Sequence, residues 1–511
     1  MEGAAVLLPG IMGGYQAETR KELGKSFKSR RDWPAEQPSR RAHHPSLQEI
    51  DEVQYERYVE GFGGRERPAT DGRGPESGGW TLSPPPGHCI LGPARASGHP
   101  PGGFRPGDRA RRTCGGVDVP LSGFFAADYF AARGRFREAT ANGEFRREVH
   151  EIAARGPDGE TLTIDAAILG STDPRRVVVV SSGLHGVEGA FGSAVQLAWL
   201  ERRAPKLPVP ADAAVVLVHA LNPFGFAWRR RWNENNVDLN RNFLDDRSFL
   251  AADGAYAESR RVYERVNSFL NPPSPQSPLE PYTLGALRHI LAMGLESRAR
   301  KPAGQRPPLL ALKAVGALGL GELKKTLPVG QYEHRHGLFY GGDGPEQTTR
   351  IVQERLPAWV GRAETIIHVD FHTGLGAHGT YKHILVDPEG SKRTAWLGSH
   401  LGSDVIEPSD AESAYAARGS MAEYFTGLFS DRNYHCLTAE FGTYAPIRVL
   451  GALRAENRAH FHGRPGSRAY EWAKGRVVEA FCPAAKAWRE STVAQGMDII
   501  DQAVRVCSQS R

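Results

Sequence analysis

The chain has 511 residues, 40% of them hydrophobic, which is enough for one large catalytic domain or for two to three ordinary domains. Its 64 basic and 58 acidic residues give a formal charge of +6. Because much of that excess falls in the Arg-rich first part of the chain, we do not expect a nucleic-acid partner.

The five cysteines and the apolar runs narrow the class of protein further. The cysteines contain no Cys-x-x-Cys pair, which argues against a disulfide framework or a structural zinc knuckle and favours a reducing compartment. No apolar run approaches the length of about 20 residues that spans a bilayer. Residues 1–14 lack the basic segment of a signal peptide. The sequence therefore predicts a cytoplasmic protein without a membrane partner.

The chain contains two successive regions that differ in composition and in hydrophobic periodicity. Residues 1–117 are rich in Gly, Pro and Arg and show neither a helical nor a strand period, so we predict a long disordered N-terminal segment. Residues 118–511 have the pattern of a folded catalytic domain. Pro-rich segments at 271–282 and 303–308 are predicted to be surface loops inserted into it.

Helical and strand patterns alternate through the second region. An amphipathic helix is predicted at 124–141 and a strand at 160–169. Two short β-branched runs, at 176–182 and 213–221, are typical of strands buried on both faces, and a helix between them completes a βαβ unit. Further strands are predicted at 365–371, 383–386 and 436–441, and further helices at 420–429, 446–459 and 469–480. The pattern predicts an α/β fold in which a mixed parallel and antiparallel twisted sheet carries helices on both faces.

A histidine and a glutamate lie three positions apart at the end of the first buried strand. His185 and Glu188 follow the valine run at 177–180 and precede a helical run at 190–200. An imidazole and a carboxylate at such a turn can bind one metal ion from two sides. The motif alone is weak, because it arises by chance in many proteins and more often marks a capping or surface residue.

A second histidine ends a later strand. His372 follows the apolar run at 365–371 and precedes a Gly-rich turn. With His185 and Glu188 it supplies two nitrogens and one oxygen, the composition of a catalytic zinc site whose fourth position is left to water. Taken alone, His372 is more simply explained as a histidine that is hydrogen-bonded in a turn.

A carboxylate interrupts the last predicted strand. Glu440 lies within an otherwise apolar segment, and burying a carboxylate is costly unless a charge or a metal lies nearby. Beside a metal, Glu440 could act as a general base and acid. Without such a neighbour it would be an ordinary glutamate of an edge strand.

A polar segment at 222–243 connects these elements. It contains three consecutive arginines, Arg229, Arg230 and Arg231, and then Asn240 and Arg241. An arginine beside an asparagine is well suited to bind a substrate carboxylate. For any one of the three consecutive arginines, a solvated loop is the simpler interpretation.

Taken together, these motifs resemble the M14 zinc carboxypeptidase superfamily in order and spacing. Three phrases look like its DUF2817 branch: Gly-Leu-His-Gly-Val-Glu-Gly at 183–189, Val-Asp-Leu-Asn-Arg-Asn-Phe at 237–243 and Asp-Phe-His-Thr-Gly-Leu-Gly at 370–376. Glu440 completes the match. The resemblance covers residues 124–503 and no part of the first 117, and it implies a zinc carboxypeptidase-like fold.

The resemblance implies a role for each matched residue. One zinc ion is expected on His185, Glu188 and His372, with Glu440 as general base and acid. Asn240 and Arg241 are expected to hold the terminal carboxylate of the substrate. Asp238 is expected to orient the first zinc histidine. One arginine of 229–231, with Arg230 and Arg231 favoured, is expected to polarise the scissile carbonyl. Tyr444 is only a nearby candidate for the substrate-capping tyrosine.

The implied activity is hydrolysis of a peptide or amide bond next to a substrate carboxylate, as in a metallocarboxypeptidase. Glu440 would take a proton from a water acidified by zinc and deliver a proton to the departing amine. Two alternatives stay open: an aspartoacylase-like or succinylglutamate desuccinylase-like deacylase of N-acyl amino acids, and a non-catalytic zinc-binding module. A serine hydrolase is disfavoured, because the sequence has no Gly-x-Ser-x-Gly elbow.

Overall fold

An eight-stranded sheet forms the centre of the computed structural model, which describes residues 119–244, 254–273, 327–409 and 417–509. These residues belong to one unit, Ala110–Arg511. The strands are β1 (Phe145–Arg155), β2 (Thr161–Gly170), β3 (Arg176–Ser182), β4 (Ala213–His219), β5 (Thr365–His378), β6 (Tyr381–Ile384), β7 (Ile406–Glu407) and β8 (Asn433–Gly442). The disordered extension predicted at 1–117 and the loop predicted at 303–308 lie outside the described residues, as does most of 271–282.

Ten α-helices lie within the described residues, one before β1 and the others between or after the strands. They are α1 (Tyr129–Ala139), α2 (Gly189–Arg202), α3 (Pro223–Ala227), α4 (Gly254–Leu270), α5 (Gln347–Val360), α6 (Lys392–Leu401), α7 (Met421–Leu428), α8 (Pro446–His462), α9 (Arg468–Phe481) and α10 (Lys486–Gln509). Among the described helices, none is both long enough and apolar enough to cross a membrane.

The strand order is β1-β2-β4-β3-β5-β8-β6-β7. The four central strands, β4, β3, β5 and β8, are parallel. On one side β2 pairs antiparallel with β4 and with β1, and on the other β6 pairs antiparallel with β8 and parallel with β7. This confirms the predicted mixed sheet. Because the central strands are parallel, their carboxyl ends meet at one edge, where ligands of such sheets usually bind.

Helices cover both faces of the sheet, as the strand patterns predict. Successive residues of β3 point to opposite faces, so Val178 and Val180 pack in a cluster with residues of α2 and α10, while Val177 and Val179 pack with residues of α5 and α7. All four valines are buried. The carboxyl ends of the strands are therefore fixed between two apolar layers.

Some elements differ from the sequence patterns for identifiable reasons. The predicted strand at 365–371 continues to His378, so His372 lies within β5 rather than after it. The strand predicted at 213–221 ends at His219. The sequence analysis did not identify β1 or α10. Strand β1 is a largely solvent-facing edge strand with many charged residues, and the long helix α10 has a polar face that weakens its apolar pattern.

Candidate metal centre

Two candidate ligands follow strand β3 at the carboxyl edge of the sheet. After β3, Gly183 adopts a left-handed conformation (φ 69°), and the short 3-10 helix Gly186–Glu188 leads into α2. A Cβ on Gly186 would lie 2.1 Å from the carbonyl carbon of Gly225, so only glycine lets these two backbone segments approach. This turn holds His185 and Glu188 in the buried interior, at 5% and 1% exposure.

Three potential metal ligands converge at this edge. The Nδ1 atom of His185 lies 2.9 Å from Glu188 Oε1 and 3.1 Å from the Nδ1 atom of His372. His372 Nδ1 is also 3.1 Å from Glu188 Oε2. Within the described residues, these three side chains form a group of histidine and acidic residues whose ligand atoms all lie within 4.8 Å of one another. The structure thus brings together the three ligands that the sequence predicts.

The donor set and its surroundings fit a zinc ion. Two imidazole nitrogens and one carboxylate are the ligands of open, catalytic zinc sites. Each histidine also has a carboxylate behind its second nitrogen: Asp238 Oδ1 lies 3.3 Å from His185 Nε2, and Asp370 Oδ2 lies 2.6 Å from His372 Nε2. At His372, a carboxylate in that position fixes the tautomer and leaves Nδ1 for the metal.

The charges of the group perturb the pKa values of its members. Burial alone would raise the pKa of Glu188, but the charges and hydrogen bonds of His185 and His372 lower it to about 2. Burial likewise opposes the charged form of His372, yet Asp370 and Glu188 raise its pKa well above the usual value. The carboxylates therefore favour positive charge at the centre of the group, which is the charge that a metal cation supplies.

Glu440 lies beside this group on the neighbouring strand. It is the register partner of His372 across β5 and β8, and its Oε1 accepts a 2.8 Å hydrogen bond from the backbone N–H of Leu375. Burial raises the pKa of Glu440 to about 7, and the negative charge of Glu188 contributes to the rise. A carboxyl group with a pKa near 7 can both accept and release a proton at neutral pH.

The two favoured arginines lie in different surroundings. Arg231 contacts the metal centre: its Nη2 is 2.7 Å from His185 Nε2, its Nε donates to Asp238 at 3.0 Å, and its Nη1 is 3.5 Å from Glu188 Oε1. Arg230 is fully buried elsewhere. Only Arg231 is therefore brought to the three ligands.

Arg230 instead contacts residues of helix α8 and of its own loop. Its guanidinium donates to Asn236 and Asn457 and lies 3.3 Å from Glu456. Lys474 of α9 donates to the same Glu456 at 2.6 Å. The position of Arg230 has a simple physical cause, because the buried Glu456 carboxylate needs positive partners. Arg229, the third arginine, pairs with the exposed Glu471 at 2.8 Å.

The segment that follows these arginines lies close to the centre. Asp238 is buried, and although burial opposes it, Arg231 and His185 hold its pKa well below the usual value, with a further contribution from Arg241. Arg241 is also buried, and its guanidinium donates to the backbone carbonyls of Pro328 and Asn240 at 2.7 and 2.6 Å. The Asn240 side chain accepts from the N–H of Met421 at 3.1 Å.

The Tyr444 side chain contacts Glu479 and Arg448. Its hydroxyl bonds to Glu479, and the guanidinium of Arg448 lies over its ring at 3.7 Å from the centroid. Tyr444 is partly buried. These contacts describe a side chain packed between helices α8 and α9.

The sequence analysis missed Asp370, although a signal was present. Asp370 precedes His372 by two positions in a strand, and residues at that spacing point to the same face. The pair therefore predicts a carboxylate beside the second histidine. His368 lies two positions before Asp370 on the same face of β5, whereas Ser181 lies on another strand and carries no such local signal.

A family model described as "Protein of unknown function (DUF2817)" matches residues 125–495. The chain belongs to the DUF2817 family. This match confirms the branch that the three phrases at 183–189, 237–243 and 370–376 suggest. The matched range includes every residue of the candidate site and excludes the first 124 residues. No curated protein matches the chain.

Several solved structures are distantly similar to the chain. Bovine thrombin-activatable fibrinolysis inhibitor is 11% identical, with 75% of this chain and 95% of that chain covered and a TM-score of 0.37. A murein-tripeptide amidase from Escherichia coli is 18% identical (64% and 96% covered, TM-score 0.27). An aspartoacylase family protein from Mesorhizobium loti is 11% identical (64% and 69% covered, TM-score 0.26). At these low identities and TM-scores, the similarity supports no conclusion about the activity of the chain.

Proposed function

We propose that this chain is a zinc-dependent hydrolase that cleaves a peptide or amide bond next to a carboxylate of its substrate. The observation that carries the proposal is the convergence of His185, Glu188 and His372, with the buried Glu440 beside them. A purely structural zinc site would be closed by a fourth protein ligand and is usually rich in cysteine. Here three ligands converge among the described residues, and Glu440, the register partner of His372, is buried with a pKa raised to about 7.

In this proposal His185, Glu188 and His372 hold one zinc ion. When bound, zinc supplies a Lewis acid that polarises a carbonyl and acidifies water. Glu440 accepts a proton from the attacking water and then gives one to the departing nitrogen, for which its raised pKa is suited. The N–H of Leu375 holds the Glu440 carboxylate in place for both transfers.

Arginines give the site its preference for an anionic substrate. We assign Arg231, which contacts His185 and Glu188, to the developing negative charge on the scissile carbonyl oxygen. We assign Arg241, with Asn240, to the terminal carboxylate of the substrate. Two backbone carbonyls orient the Arg241 guanidinium, which supports this role.

A panel of two substrate classes tests the proposal. Peptides with a free C-terminus and N-acyl amino acids are incubated with the full-length protein loaded with zinc, and the released amino acid is measured. We expect hydrolysis that a chelator abolishes and that added zinc restores. Release from peptides supports a carboxypeptidase, and release from N-acyl amino acids supports the deacylase alternative. Absence of zinc-dependent release from both classes would contradict the proposed function.

A further inference from the structure

A line of hydrogen-bonded side chains leads away from His372 through the parallel sheet. Asp370 Oδ2 lies 2.6 Å from His372 Nε2, and Asp370 Oδ1 accepts from Ser181 Oγ at 2.6 Å. Ser181 Oγ is 2.8 Å from His368 Nε2, and His368 Nδ1 is 2.9 Å from the Tyr434 hydroxyl. All five side chains are buried. They connect the metal centre with three adjacent strands, β3, β5 and β8.

The donors and acceptors of this line can be assigned without ambiguity. A carboxylate only accepts, so the single proton of the Ser181 hydroxyl goes to Asp370. Ser181 Oγ must then accept from His368, whose Nε2 carries the proton. Burial lowers the pKa of His368 to about 4, so the ring is neutral and its Nδ1 accepts from Tyr434. Every bond in the line therefore points towards Asp370.

This direction has a consequence for the metal ligand. Asp370 accepts from Ser181 with one oxygen, which leaves the other oxygen for the Nε2 proton of His372. A proton held on Nε2 leaves the lone pair of Nδ1 available to a metal. Ser181 and Asp370 are also register partners across β3 and β5, so the sheet itself fixes their spacing.

We propose that Ser181, His368 and Tyr434 are positioning residues that lock the orientation of Asp370 and thereby the nitrogen that His372 offers to zinc. The inference rests on the proposed function, because it assigns these three residues to the same metal site. Their contribution is expected in the affinity for zinc rather than in the chemical step, since none of them contacts the three ligands.

The neighbouring serine provides a matched control. Ser182 follows Ser181 in β3 and is equally buried, but its hydroxyl faces Gln196 and the carbonyl of Val218. Replacing either serine by alanine removes one buried hydroxyl from the same strand. Only Ser181→Ala interrupts the line to Asp370.

The zinc dissociation constant of the metal-free full-length protein is measured by competition with a chromophoric chelator. We expect Asp370→Asn to weaken zinc binding about 10-fold to 100-fold. Ser181→Ala should weaken it about twofold to tenfold, and Tyr434→Phe, at the far end of the line, by about twofold. Ser182→Ala should bind zinc as the wild type does. Ser181→Thr, which keeps the hydroxyl, should restore affinity.

Thermal unfolding of the metal-free variants separates positioning from general damage. The proposal requires weaker zinc binding in Ser181→Ala at a stability equal to that of Ser182→Ala. If Ser181→Ala does not fold, Tyr434→Phe, which keeps the buried ring, carries the same test. Equal zinc affinity in Ser181→Ala and Ser182→Ala would overturn the positioning role and leave the proposed function intact. Failure of the wild type to bind zinc would overturn both.

Discussion

The two histidines of the metal centre are supported in different ways. His185 lies in a loop, and its Nε2 faces Asp238 and Arg231, two charged residues from another loop. His372 lies within strand β5, and its Nε2 faces Asp370, which uncharged side chains hold inside the sheet. One ligand is thus supported by a loop ion pair and the other by the core.

This difference suggests that the surroundings of His185 and of His372 have different roles in the site. The loop that supports His185 continues into Asn240 and Arg241, the residues assigned to the substrate carboxylate. Substrate binding can therefore act on the His185 half through Asp238 and Arg231. Strand β5, which supports His372, is buried in the sheet around this residue, so we infer that His372 supplies a fixed position for the metal.

The largest expected effect on kcat comes from Arg231, which lies in the loop that supports His185. Replacing Arg231 by methionine removes the charge assigned to the scissile carbonyl, and we expect kcat to fall about 10²-fold to 10³-fold. Steady-state kinetics with the substrate found in the panel measures the loss. Arg229→Met is the matched control, because Arg229 pairs with the exposed Glu471 and should keep full activity. Equal kcat values for the two variants would contradict the role of Arg231.

Variants of Asp238, which supports His185, and of Asp370, which supports His372, compare the two histidines directly. Asp238→Asn and Asp370→Asn should each weaken zinc binding about 10-fold to 100-fold. With saturating zinc, only Asp238→Asn should keep a lowered kcat, because it also removes the 3.0 Å partner of Arg231. The measurement is kcat at a zinc concentration far above each dissociation constant. Similar kcat values for both variants would show that the halves are equivalent.

Protonation of His372, the histidine that strand β5 supports, should compete with the binding of zinc. Burial disfavours a charged His372, but Asp370 and Glu188 raise its pKa well above 6.5 in the metal-free protein. Because this proton must leave before a metal binds, the apparent zinc affinity should rise with pH, by about tenfold for each unit below that pKa. Zinc titrations from pH 6 to pH 8 test the sign. Asp370→Asn should flatten the dependence, and a pH-independent wild type would contradict the account.

The sequence predicts side chains that the structure brings together, because their convergence follows from the sheet. His185 and Glu188 follow strand β3, and His372 and Glu440 lie within β5 and β8; parallel strands bring their carboxyl ends to one edge. The resemblance implies a role for Asp238 because this residue belongs to the contiguous motif at 237–243. No knowledge of distant contacts was needed for any of these residues.

Other parts of the site depend on contacts that local sequence does not contain. Arg230 and Arg231 are adjacent, yet Glu456 attracts one and Asp238 the other, and Glu456 lies on a helix far along the chain. The preceding Arg229 has a left-handed backbone (φ 53°), which local propensity does not predict. Ser181 and His368 look like ordinary buried strand residues until β3 and β5 are placed side by side.

The measurement that tests the central claim most directly combines zinc content with turnover in wild type and Glu440→Gln. Glutamine keeps the shape of the side chain but cannot accept the proton, and Glu440 is not one of the three ligands. We expect one zinc ion per chain in both proteins and hydrolysis only in the wild type. A Glu440→Gln variant that remains active, or a wild type that hydrolyses its substrate without zinc, would contradict the account.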